Sequence, residues 1–123
     1  MPDELSLQIP EIAAWVYINT NYHKTVLYTG STINLPQRLF EHYINQGLTN
    51  SFTSKYKAFY CIYYETFDTE EDARKRKQEI KLLNRKKKEA LVDCLNPEWN
   101  FLNVEICGQW PPAGIENRNQ FWK

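Results

Sequence analysis

Arg38 and His42 stand four residues apart within LPQRLFEHYINQG, residues 35–47. On a helix that spacing stacks both side chains on one face, and Asn45, seven past Arg38, continues the stripe. An arginine grips two phosphate oxygens at once, and a histidine one turn away donates to a third or shuttles a proton. Upstream, YINTNYHKTVLYTGST, residues 17–32, brings two phenol hydroxyls, Tyr17 and Tyr28, and one position without a side chain, Gly30. Taken singly, each has a plainer explanation: a solvated helix face for Arg38 and His42, core or cross-strand packing for the tyrosines.

Short elements have to position these groups, and the surrounding pattern supplies them. AWVYINTN alternates and is rich in β-branched and aromatic residues, which predicts a strand over 13–20. TVLYTG predicts a second over 25–30, joined to the first by NYHK as a hairpin. Asn34 is a natural N-cap, Pro36 is tolerated in a first turn, Leu35, Leu39 and Tyr43 recur every four residues, and Gly47 ends the pattern, so a helix is expected over about 35–46. LTNSFTSKYKA is polar and reads as a loop, and FYCIYYETF is the third and most apolar strand, near 59–65. Thr69 caps a second helix with Asp72 three residues on, and Ala73, Lys77, Ile80 and Leu83 fall near one another on its wheel. Asn84 caps a third that ends near Cys94, before NPEW turns the chain.

The order strand, strand, helix, strand, helix, helix excludes a doubly wound parallel sheet and predicts an α+β fold, a small three-stranded, mostly antiparallel sheet flanked by helices. From Asn103 onward no period is sustained, and Trp110 followed by two prolines predicts an extended tail lying on the domain.

At 123 residues the chain is one domain's worth, and its 42% hydrophobic and 15% aromatic content argues against disorder over most of its length. The first ten residues hold two acids and no base, and no apolar run nears membrane-spanning length, so neither a secretory signal nor a membrane helix is expected and a cytoplasmic location follows. Cys61, Cys94 and Cys107 are odd in number and lack CxxC spacing, which reads as reduced thiols. The net charge of zero hides a segregation. Residues 74–88, RKRKQEIKLLNRKKK, hold nine of the fifteen basic residues and one acid, Glu79, so this stretch carries +8 and the remainder −8. Arg74, Lys81, Arg85, Lys86, Lys87 and Lys88 in that run can neutralise backbone phosphates and release counterions, giving salt-sensitive DNA binding with little sequence information; a plain solvated helix face is the alternative.

The features occur together and in order: Tyr17, Tyr28 eleven residues later, Gly30 two after that, Arg38 eight past the glycine, His42 four past the arginine. In that spacing, with WVYINT at the first motif and LYTGST at the second, the chain resembles the GIY-YIG nuclease superfamily. Through SFTSKYKAFYCIYYETF, ARKRKQEIK and LNPEWNFL it is similar to the small single-domain branch over about residues 13–102, leaving 1–12 as an N-terminal extension and 103–123 as a C-terminal tail. The resemblance implies cleavage of DNA phosphodiesters assisted by Mg²⁺ or Mn²⁺. It implies Tyr17 as general base, Tyr28 as a second hydroxyl near the water or phosphate, Arg38 as the clamp on phosphate charge, and His42 as a hydrogen-bonding partner of Tyr17 or the phosphate. By the same resemblance Gly30 keeps the end of the second strand open to the substrate backbone, and Asn100 matches a late structural or active-site asparagine, with Asn96 a competing match.

A tyrosine with an ordinary pKa of roughly 10 is a poor base at neutral pH and needs positive charge nearby, and a divalent cation needs a carboxylate to hold it. Here the chain departs from the pattern it resembles. Where the metal-binding glutamate is expected in Arg-Glu-x-x-Ile-Lys, it reads Arg76-Lys77-Gln78-Glu79-Ile80-Lys81. A lysine ammonium has no lone pair for a cation and its charge opposes one. Glu79 is turned by about 200° from Lys77 on a helix, and Glu70 lies about 10 Å along the axis. Three readings stay open: lost activity, Lys77 as a fixed cation replacing the metal, or a register off by a residue or two. The function classes that follow are a metal-dependent nuclease, a DNA-binding module without cleavage, and a protein-interaction domain using Trp110, Phe121 and Trp122.

Overall fold

The computed structural model describes residues 12–112; the extension before residue 12 and the tail aromatics Phe121 and Trp122 lie outside them. Strands β1 (Ala14–Thr20) and β2 (Leu27–Thr32) form the hairpin, followed by helix α1 (Leu35–Ile44), a short helix α2 (Phe52–Tyr56) and strand β3 (Tyr60–Phe67). Helices α3 (Glu70–Lys81), α4 (Arg85–Leu95) and the short α5 (Asn103–Cys107) complete the order. The sheet is antiparallel throughout, in the order β2-β1-β3.

Asn34, Thr69 and Asn84 are the N-caps of α1, α3 and α4, each side-chain oxygen accepting from the backbone N–H three residues on. This satisfies one orphan donor per helix and fixes where each starts.

Side chains alternate across a strand, so central β1 feeds two cores. Ala14, Val16 and Ile18 join Ile62, Ala73, Ile80 and Val92 beneath α3 and α4, while Tyr17 joins Leu35, Leu39 and Cys61 beneath α1. Fully burying a residue such as Ile80 or Val92 is worth about 1.5–3 kcal/mol. A break in register between β1 and β3 at Ile18/Asn19 bends the strand, and Asn19 Nδ2 there donates to the Ala58 carbonyl at 3.1 Å.

Three local features depart from the sequence expectation. β2 runs on to Thr32, because pairing with β1 continues to Trp15↔Thr32. The polar loop contains α2, capped by Ser51. The segment expected to be extended folds into α5, docked by Asn103, whose Oδ1 accepts from Cys61 N–H and whose Nδ2 donates to the Phe59 carbonyl, both at 2.8 Å. Trp110 then packs edge-on against Tyr43 at 5.2 Å between ring centroids. No helix among the described residues is long and apolar enough to cross a membrane.

Candidate phosphate site

The β1–β2 register places Tyr17 opposite Gly30 and Asn19 opposite Tyr28. Directly opposed residues share a face, so both tyrosines and the glycine lie on the α1 side of the sheet. His42 comes down onto them from α1, with the Tyr17 hydroxyl 2.9 Å from His42 Nε2. The Tyr17 and Tyr28 ring centroids are 6.2 Å apart, and Tyr28 and His42 meet nearly at right angles at 5.8 Å. One turn before His42, Arg38 stands half exposed and pairs with Glu41 at 3.1 Å. The geometry therefore brings Tyr17, Tyr28, Arg38 and His42 together, as one buried pair behind two groups that solvent reaches.

Burial decides the protonation of the inner pair. Tyr17 is 0% exposed and His42 5%. Desolvation holds the Tyr17 phenol well above its ordinary range, with Tyr28 adding to the rise and the Arg38 guanidinium only partly offsetting it. His42 is pushed down to about 4, chiefly by burial and then by Arg38, against the pull of Glu41. Both are neutral at pH 7, so Tyr17 offers a hydrogen-bonding hydroxyl and not a ready base.

Gly30 is where it is because of Tyr17. A Cβ at residue 30 would lie 2.5 Å from the Tyr17 hydroxyl oxygen, 2.6 Å from its ring carbon Cζ and 2.9 Å from the Tyr28 ring. The space a side chain at residue 30 would take is filled by the first tyrosine, whose ring lies across the second strand. Asn100 lies apart from this cluster. It is exposed beyond α4, and its backbone N–H and carbonyl are held by Asn96, whose Nδ2 also reaches the Ile62 carbonyl of β3 at 2.8 Å. β3 is the sheet edge opposite β2, so neither asparagine joins the tyrosine cluster.

The basic helices occupy the other face. α3 lies against β1 and β2, and α4 against β3. Arg74 pairs with Glu70, Lys75 with Glu71, Arg76 with Glu65 and Glu79, and Arg85 with Glu89 and the Thr25 carbonyl. Lys77, Lys81, Lys86, Lys87 and Lys88 have no ion-pair partner among the described residues. The run approaches the α1 side around the β2 edge. There a cleft of about 500 Å³ lined by Ser31, Thr32, Gln37, Arg38 and Glu41 adjoins a second of about 190 Å³ lined by Ser31, Thr32, Glu70 and Arg74.

Lys77 lies on the stripe of α3 between Ala73 and Ile80, both fully buried, and is itself half buried. Where the resemblance led to the expectation of a carboxylate, this position carries an ammonium, which offers Mg²⁺ or Mn²⁺ no lone pair, and among the described residues no three of His, Cys, Asp and Glu gather at one point. Glu41, Glu70, Glu71 and Glu79 are instead each paired with a cation. The pattern also hid three neighbours of the cluster. Glu41 on Arg38 reads in sequence as an ordinary i,i+3 charge pair. Phe52 and Tyr56 sit in a polar stretch, and their four-residue spacing is the one signal that marks them.

Comparison with known proteins gives the family. The GIY-YIG catalytic domain profile matches residues 13–91. A UPF0213 protein of Natronomonas pharaonis is 37% identical over 78 residues, 63% of this chain and 88% of that one. A UPF0213 protein of Staphylococcus saprophyticus is 36% identical over 66 residues, 54% of this chain and 78% of that one. The solution NMR structure of a UPF0213 protein from Bacillus halodurans is 25% identical and covers 74% of this chain and 94% of its own, with a TM-score of 0.46.

Proposed function

The chain belongs to the GIY-YIG family, and on that premise we propose that it binds the DNA backbone at the Tyr28–Arg38 surface and has lost metal-dependent cleavage. The observation that carries this reading is the combination of a retained four-residue cluster with a lysine at the carboxylate position. In this reading Arg38 grips a phosphate bidentately once it leaves Glu41, and Tyr28 donates a hydroxyl beside it. Tyr17 and His42 stand behind, both uncharged, as a hydrogen-bonded pair that orients this wall of the site. Lys77, Lys81 and Arg74 extend positive charge past the β2 edge, and Lys86 to Lys88 add a more distant field.

Fluorescence anisotropy on labelled DNA tests the proposal. Affinity is expected to fall steeply and log-linearly with salt, to gain nothing from Mg²⁺ over a chelator at matched ionic strength, and to drop about tenfold in Arg38→Ala. Glutamate at Lys81, Lys86, Lys87 and Lys88 is expected to flatten the salt slope. DNA affinity that is indifferent to salt and to Arg38 would remove the proposal.

A further inference from the structure

The rings beside the phosphate site do not end with the cluster. Phe52 is stacked on Tyr28, 5.9 Å between centroids and 25° between planes, and Tyr56 follows Phe52 at 4.8 Å. Lys55 Nζ stands 5.5 Å from the Tyr56 ring centroid. The series runs from His42 and Tyr28 out to solvent, where Phe52 and Tyr56 are 40% and 44% exposed.

This ledge is held in place. Ser51 caps α2, and Ser54 anchors the turn before it: its hydroxyl donates to the Asn45 carbonyl and accepts from Thr49 N–H at 3.0 Å, and its carbonyl accepts from Gly47 N–H at 2.9 Å. Ala58 N–H closes the far side onto the Thr53 carbonyl at 2.9 Å. Thr53 and Ser54 are buried while the rings of Phe52 and Tyr56 on either side of them face water. A fixed loop that keeps two large rings in water is unfavourable for solvation, and the rings border the place where a phosphate would sit.

We propose that Phe52 and Tyr56 form a stacking subsite for an unpaired base next to the phosphate held by Arg38 and Tyr28, so that single-stranded or flapped DNA is preferred to continuous duplex. The inference rests on the DNA-backbone reading above. Aromatic rings take any base face-on, and only an unstacked base offers a face. Lys55 supplies positive charge for the adjoining phosphate. Continuity with Tyr28 commits the ledge to the strand that crosses the site.

The test compares a 15-mer single strand, its duplex and a duplex with a single-stranded flap, each with 2-aminopurine in the unpaired or matching position. Wild-type protein is expected to favour the single strand and flap and to quench the 2-aminopurine. Phe52→Leu/Tyr56→Leu, which keeps apolar bulk without a ring, is expected to weaken both by at least about fivefold, change duplex binding less than about twofold and abolish quenching. Phe52→Tyr/Tyr56→Phe keeps the rings and should restore all three readouts, which separates stacking from loop damage. If Arg38→Ala weakens binding and the leucine pair does not, the subsite is overturned and the backbone reading stands. If the leucine pair weakens duplex as much as single strand, the preference for unpaired bases is overturned. Wild-type protein that binds none of the three DNAs overturns both proposals.

Discussion

Under α1 the sheet buries polar chemistry: a tyrosine hydroxyl and an imidazole, both out of water, bonded to each other and leaving no room for a Cβ at Gly30. Under α3 and α4 the buried residues are apolar, Val16, Ile18, Ile80 and Val92 among them, and the charges stand outside, many in lysine or arginine pairs with glutamate. The two faces share β1 and differ in what a change would cost. A buried polar pair tolerates neither intrusion nor an added charge, whereas exposed pairs on a helix are individually nearly neutral. A site for phosphate is economical on the first kind of face, where neighbours fix each group, and a diffuse attraction for DNA needs only the second.

Gly30→Ala should break the contrast most strongly. Its methyl group would meet a fully buried ring that cannot swing away, and a stability loss of about 3 kcal/mol or more is expected in urea denaturation, as a lower midpoint. Acidification comes next. His42 is held near 4 against an ordinary 6.5, so between those values the unfolded chain binds more protons than the folded one. The stabilisation is complete above pH 6.5 and drains as pH falls toward 4, by on the order of 2–3 kcal/mol. His42→Gln should titrate with a shallower loss over that window, and matching pH profiles for the two proteins would refute the buried neutral imidazole. Smallest is Arg74→Ala on the opposite face: loss of an exposed i,i+4 pair with Glu70 is expected to shift stability by no more than about 0.5 kcal/mol.

Much of this was legible in the sequence where local chemistry decides. Three caps and a period of four placed α1, α3 and α4, and alternation placed the strands. The spacing of Tyr17, Tyr28, Arg38 and His42 found the cluster because strand pairing and a helical turn translate spacing directly into proximity. What stayed hidden depends on tertiary contacts. The role of Gly30 needs the cross-strand position of Tyr17, and the protonation of Tyr17 needs its burial against Leu35 and Leu39. Asn96 and Asn100 differ only in which one reaches β3, which no local rule reveals. α2 and α5, at five residues each, are too short to show a period, so their rings and their asparagine clamp went unread.

Lys77→Glu tests the central claim most directly. Purified wild-type and mutant proteins are incubated with single-stranded and flapped DNA in Mg²⁺ or Mn²⁺ and the products resolved on a gel. Cleavage is expected from Lys77→Glu alone, dependent on the metal and absent from Lys77→Glu/Arg38→Ala. Metal-dependent cutting by the wild-type protein that Arg38→Ala abolishes would contradict the claim.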